Sequence, residues 1–199
     1  MNQETSMTEQ ESLRIITEMM QKVKKDFYDT GISSLMWGSV VTFCGLFSFA
    51  GAMFNWSFDY YVVWNLTFIA FLPQIWITIR ENKKLKAAQR IDTVAAVWTV
   101  FAITMFGLVF YNSTQPVRIP SSSSLYLLVY AMPTLATGLE RQFKPMTIGA
   151  VICYLAFIIS CFVATKYDML LHAVAAISCW LIPGLILHQR YKRSRSQYV

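Results

Sequence analysis

The sequence predicts an all-α, polytopic integral membrane protein: a six-helix transmembrane bundle preceded by an amphipathic N-terminal helix. Three observations predict it. Of the 199 residues, 55% are hydrophobic and only 14% charged, where a soluble domain carries about 25% charged residues. The apolar residues gather in six runs, each close to the ~20 residues that an α-helix needs to cross a bilayer core. Clusters of Lys and Arg punctuate those runs on alternate sides, the pattern that sets membrane orientation. Six such spans use about 120 residues, so no sizeable soluble domain accompanies them.

The N-terminal segment, about 1–30, comes first. Thr8 and Glu11 fit a capping box, in which each side chain satisfies an otherwise unpaired backbone N–H. Leu13, Ile16, Met20, Val23 and Phe27 then form one helical stripe. Lys22, Lys24 and Lys25 near its end complement the helix dipole. Such a helix lies in the membrane interface or pairs with a partner helix. Met1-Asn2-Gln3-Glu4-Thr5 lacks a basic start and an apolar h-region, so the first span is expected to act as an uncleaved anchor.

The spans follow in order. Span 1, about 32–54, carries a seam of small residues on one side: Ser34, Gly38, Gly45, Ser48 and Ala52. Helices in lipid associate by close packing, so such a seam marks a helix contact, within the chain or with a second copy. A short turn at 55–59 leads to span 2, about 60–79, with Trp56, Tyr60, Tyr61 and Trp64 as an aromatic belt. The basic stretch Arg80–Lys86 is expected to be a loop. Span 3, about 91–111, opens at Asp92, and the loop after it runs through Pro116 and Pro120 to the serines Ser121–Ser124. Span 4, about 122–139, has the shortest strictly apolar part. Pro145 suits the first turn of span 5, about 146–164, because its missing N–H is not needed there. A tight turn at Lys166-Tyr167-Asp168 precedes span 6, about 169–187. The basic tail 189–199 is expected to be disordered beyond its first residues.

With the N-terminus inside, only Arg118 and Lys166 of the 17 basic residues fall outside. That bias predicts both termini in the cytoplasm. It also requires span 4, since an odd number of spans would put the Arg190–Arg195 cluster outside. The three descending spans share a proline at similar depth, Pro73, Pro133 and Pro183. Each removes a helix hydrogen bond and crowds the preceding turn, so each predicts a kink. Three kinked hairpins suit a bent bundle or a central cavity.

The chemistry that is missing matters as much. Ionisable groups deep in a membrane mark ion paths or catalysis. Asp92, Glu140, His172 and His188 all fall near span ends, with His172 expected at the outer interface. The four cysteines, Cys44, Cys153, Cys161 and Cys179, form no C-x-x-C pair, so they read as packing residues rather than a zinc site. No catalytic motif or glycine-rich phosphate loop occurs. No cofactor or metal is therefore expected, and no nucleic acid, despite a net charge of +6. Asn65, Gln74, Thr78, Thr134 and Thr137 are expected to hydrogen-bond between helices.

Several short motifs carry a resemblance. Gly138 to Tyr154, with Phe143-Lys144-Pro145, Gly149 and Cys153, resembles a "G-x-x-x-x-F-K-P-x-x-x-G-x-x-x-C-W" stretch. Ile182-Pro183-Gly184 matches a closing "I-P-G", and Leu35-Met36-Trp37-Gly38 matches "L-x-W-G". These are similar to a family of small bacterial inner-membrane proteins of unassigned function, which typically has Trp where Tyr154 stands. The resemblance implies an N-terminal helix, about six spans and no known activity. The expected function is a non-enzymatic membrane scaffold, sensor or regulatory subunit, with the bilayer, a second copy or another protein as partner. The alternatives are a small-solute or lipid transporter, or an enzyme built on Glu140, Asp92 and His188.

Overall fold

The computed structural model describes residues 14, 30–87, 93–114 and 122–196. The amphipathic stripe of the N-terminal segment, Asp92 and Arg118 lie outside them. Among the described residues every regular element is helical. Helix α1 is Ile32–Met53; a 3-10 turn, Tyr60–Asn65, leads into α2, Leu66–Ala87; α3 is Thr93–Thr114 and α4 Ser122–Glu140. Helix α5 is Lys144–Ser160. The sixth rod has two parts, α6 (Thr165–Ala176) and α7 (Ile182–Ser196), joined by a π-helical turn at Ile177–Leu181.

Three boundaries differ from the sequence reading. Helix α2 runs straight through the basic stretch expected to be a loop. Glu81, Lys83, Lys84, Leu85, Lys86 and Ala87 are all good helix formers, and no Gly or Pro interrupts them. The sixth rod starts at Thr165, so Lys166-Tyr167-Asp168 is its first turn rather than a loop. At its far end the basic tail continues as helix to Ser196, because an established helix extends cheaply once nucleated.

Local chemistry explains the ends. Gly31, at φ 68, turns the chain into α1. Helix α4 stops at Gln142 (φ 49), with Phe143 N–H bonded to the Gly138 carbonyl at 2.9 Å and Gln142 N–H to Leu139 at 3.2 Å. Those two bonds define a Schellman stop. Asn55 (φ 48) stands just beyond α1, where Trp56 N–H bonds the Gly51 carbonyl at 3.1 Å. Pro145 occupies the first turn of α5. The π turn has its cause at Pro183, which lacks an N–H and crowds the carbonyl four residues back. The chain widens there, and Ile182 N–H reaches back five residues to Ile177.

The sixth rod lies at the centre. A Cβ on Gly45 would sit 2.7 Å from the Met169 carbonyl, and one on Gly38 2.7 Å from Leu181 N. The seam residues Gly38, Gly45 and Ser48 are buried, while Ser34 and Ala52 are half-buried; Ser34 lies against Gly184. From the other side Gly149 of α5 meets the Ser178 carbonyl of the π turn. Helix α4 packs on α5, where Gly138 abuts Thr147. Helix α3 joins through Trp98, whose indole N–H donates to Thr137 Oγ1 at 3.1 Å. Helix α2 joins α1 through Trp37, which donates to Gln74 Oε1 at 3.0 Å. Pro73 and Pro133 stand inside α2 and α4, and Pro183 follows the π turn.

Burial runs opposite to that of a water-soluble protein. Ser48, Ser124, Thr134, Thr137, Ser160, Asp168 and His172 are buried, while Leu72, Phe110 and Phe162 are exposed. Exposed apolar surface on this scale would aggregate in water and suits lipid. Four helices are long and apolar enough to cross a membrane: Ile32–Met53, Tyr60–Arg80, Val94–Thr114 and Thr165–Arg193. Helix α5 is apolar but shorter.

Two glycines should separate packing from propensity. Gly149→Ala drives a methyl into the Ser178 carbonyl and should lower stability by about 1–3 kcal/mol. Gly107→Ala meets nothing within 4 Å and should raise it by up to ~1 kcal/mol. Thermal unfolding of the detergent-purified chain measures both. Gln142→Gly removes left-handed strain and should stabilise by about 1 kcal/mol in the same assay.

Candidate functional site: a buried carboxylate beside an aromatic core

Tryptophan and threonine organise the centre of the bundle. Trp180, on the π turn, donates to Thr134 Oγ1 on α4 at 3.1 Å. Thr134 and Thr137 each donate to the carbonyl four residues back, Tyr130 and Pro133, at 2.8 and 2.7 Å. The hydroxyls are thus held in place by their own helix and present lone pairs to the indoles. Tyr130 and Trp180 pack with centroids 4.9 Å apart, and Phe101 and Trp98 of α3 close over Trp180. Offset and edge-on ring contacts of this kind contribute roughly 0.5–1.5 kcal/mol each beyond burial.

His172, expected near the outer interface, is 2% exposed and enclosed by protein. Two turns into α6, its ring is enclosed by Trp64, Tyr126 and Tyr130, at centroid distances of 6.0, 6.5 and 5.9 Å. Trp64 in turn donates to Ser48 on α1 at 3.0 Å, and Asn112 of α3 donates to the Tyr126 hydroxyl at 2.9 Å. Nδ1 of His172 lies 2.7 Å from the Asp168 main-chain carbonyl. A carbonyl only accepts, so Nδ1 carries the proton.

Asp168 is fully buried, at 0% exposure. Its Oδ2 accepts a 2.6 Å hydrogen bond from Ser123 in the first turn of α4. Its Oδ1 is buried without a hydrogen-bond partner, as is the Ser124 hydroxyl one residue along. The neighbouring Lys166 is exposed and lies over the Tyr167 ring at 5.1 Å. A carboxylate, a hydroxyl and an imidazole therefore meet, but not as a catalytic relay. That arrangement needs the imidazole bonded to the nucleophile, whereas here Ser123 donates to the carboxylate and the Nδ1–H donates to main chain.

The residues singled out in the sequence are placed as follows. Gln74 donates to Thr78 at 3.1 Å and accepts from Trp37, while Asn65 is exposed at the end of the 3-10 turn. Glu140 is exposed at the end of α4, and His188 lies on α7 with Nδ1 3.3 Å from the Thr30 carbonyl. The four cysteines are free thiols, three of them buried, each near a main-chain carbonyl. Among the described residues no group of three or more His, Cys, Asp or Glu is placed to hold a metal. Sequence reasoning missed Asp168 because three polar or aromatic residues looked like a turn. The signal was the Asp-x-x-x-His spacing, which puts both residues on one helix face.

No protein-family model matches the chain, no curated protein matches it, and no solved structure matches it. The site is therefore read from its own chemistry.

Ser123→Ala strips Asp168 of its donor and should cost about 1–3 kcal/mol. Ser113→Ala, which removes an exposed hydroxyl bonded only to the Val109 carbonyl, should change stability by less than about 0.5 kcal/mol. Comparing the two unfolding midpoints in one detergent checks the contrast.

Proposed function

We propose that the chain is a six-span protein of a bacterial inner membrane, with both termini in the cytoplasm, that works as a non-enzymatic scaffold, sensor or regulatory subunit. Six rods of alternating direction among the described residues, and the bias of the 17 basic residues, all but Arg118 and Lys166, toward one side, support the topology. The resemblance to small inner-membrane proteins of unassigned function points the same way. The observation that carries the functional reading is the use of the polar core. Ser123 donates to a carboxylate, His172 to main chain, and Trp98 and Trp180 to threonines. The bonds of Ser123, Trp98 and Trp180 hold helices together, and among the described residues these groups place no nucleophile against a base.

The outer helices supply the surface such a role needs. Ile69, Leu72, Ile75, Trp76 and Ile79 of α2 are exposed, as are Val100, Ile103 and Phe110 of α3. That surface faces lipid in the free chain, and a partner helix would displace lipid from it. Chemical crosslinking in mild detergent is expected to trap a second copy or another membrane protein. A chain that stays strictly monomeric and captures nothing removes the basis of the proposal. A tag after Val199 is expected to be reachable only from the cytoplasm.

A second reading, a carrier of small apolar solute or lipid, is favoured by one observation. Helices α2 and α3 meet through the Phe71 and Phe106 rings, 5.2 Å between centroids, and Gln74 and Thr78 follow on α2. A Phe71→Cys, Phe106→Cys pair in a Cys161→Ser background, bridged by a short bis-maleimide, separates the readings. The scaffold reading expects partner capture to survive the bridge; loss of solute flux on bridging would favour the carrier.

A further inference from the structure

Burying a carboxylate between two helix ends, away from water, leaves two debts, a charge and an unfilled lone pair. Asp168 carries both. Ser123 satisfies Oδ2 at 2.6 Å, but Oδ1 has no donor and no cation of the described residues pairs with it. His172 makes no hydrogen bond to the carboxylate, since its Nδ1–H goes to the Asp168 main-chain carbonyl. Lys166 does not either, since it is exposed over Tyr167. The second orphan, the Ser124 hydroxyl, belongs to a residue only 2% exposed in the same turn of α4 as Ser123.

We propose that Asp168, with the hydroxyls of Ser123 and Ser124, is the binding site of one alkali cation between the first turns of α4 and α6. Three alternatives meet only part of the requirement. A water molecule fills lone pairs but leaves the charge. A proton settles the charge but bonds at most one of the two hydroxyl oxygens, where a cation draws on both. A divalent ion brings one positive charge too many, because the helix N-termini already contribute positive partial charge. A single alkali ion neutralises one carboxylate and takes hydroxyl oxygens as further ligands. Carboxylate and hydroxyl oxygens are hard donors, which excludes soft metals. The same helix N-termini oppose the ion, so the site is one of modest affinity that empties and fills with the surrounding salt. This inference stands whether the chain is a scaffold or a carrier.

Thermal unfolding of the full-length chain in detergent, in sodium, potassium and choline chloride at equal ionic strength and pH, tests it. Either alkali salt should raise the midpoint by several degrees over choline, and the difference should vanish in Asp168→Asn. Equilibrium binding of radioactive sodium should show displacement by unlabelled sodium but not by choline. Ser124→Ala should weaken that binding several-fold while the chain stays folded, which keeps the proposal falsifiable if Asp168→Asn does not fold. Equal midpoints in the three salts, no displaceable sodium, or sodium binding that survives in Asp168→Asn would each overturn it.

Discussion

The bundle depends on main chain meeting main chain around the sixth rod. Gly38 and Gly45 bring α1 against it from one side, and Gly149 brings α5 against the π turn from the other. Apolar side chains gain little from one another when the solvent is itself hydrocarbon, so close approach and dispersion have to hold helices together. A glycine replaces a side chain's width with direct contact. The π turn adds to this: it exposes carbonyls that a regular α-helix would keep in its own ladder. Cys179 sits at that turn and donates its thiol hydrogen to the Gly149 carbonyl at 3.2 Å. Pro183, which forces the widened turn, thus shapes contacts on both sides of the rod.

Around this contact the polar residues act as fasteners rather than reagents. Each indole N–H of Trp37, Trp64, Trp98 and Trp180 finds an oxygen on another element. An unpaired indole would be costly in a medium that offers no replacement. Threonines already bonded to their own helix make good acceptors, because their hydroxyls are oriented before the partner arrives. The outer helices have fewer such fasteners. Helix α2 is tied by Trp37 to Gln74, and α3 by Trp98 to Thr137 and Asn112 to Tyr126.

Much of the helical layout was legible in the sequence because hydropathy reports solvent directly. The spans about 91–111 and 122–139 correspond to α3 and α4 within a few residues. The ends were less legible. Charged residues such as Lys83 and Lys86 look like loop in a hydropathy trace, yet they favour helix once the chain leaves the apolar zone. The site was largely illegible. Asp168 lies at the border of an apolar run, and nothing local distinguishes a solvated turn from a buried first turn. Its burial is decided by Ser123, 45 positions away, which no periodicity within one helix reveals. The enclosure of His172 by Trp64, Tyr126 and Tyr130 is likewise a product of three separate segments.

The central place of the sixth rod has a consequence for biosynthesis. The ribosome delivers this rod after α1, α4 and α5, all of which seat against it. At the usual 5–20 residues per second, α1 waits on the order of ten seconds in the bilayer before its glycines meet their counterpart. During that interval the nascent helices have no finished groove to occupy, and the insertion machinery or a chaperone must shield them. A message truncated before the codon for Thr165 would yield inserted helices that lack their central partner, a natural target for membrane proteases.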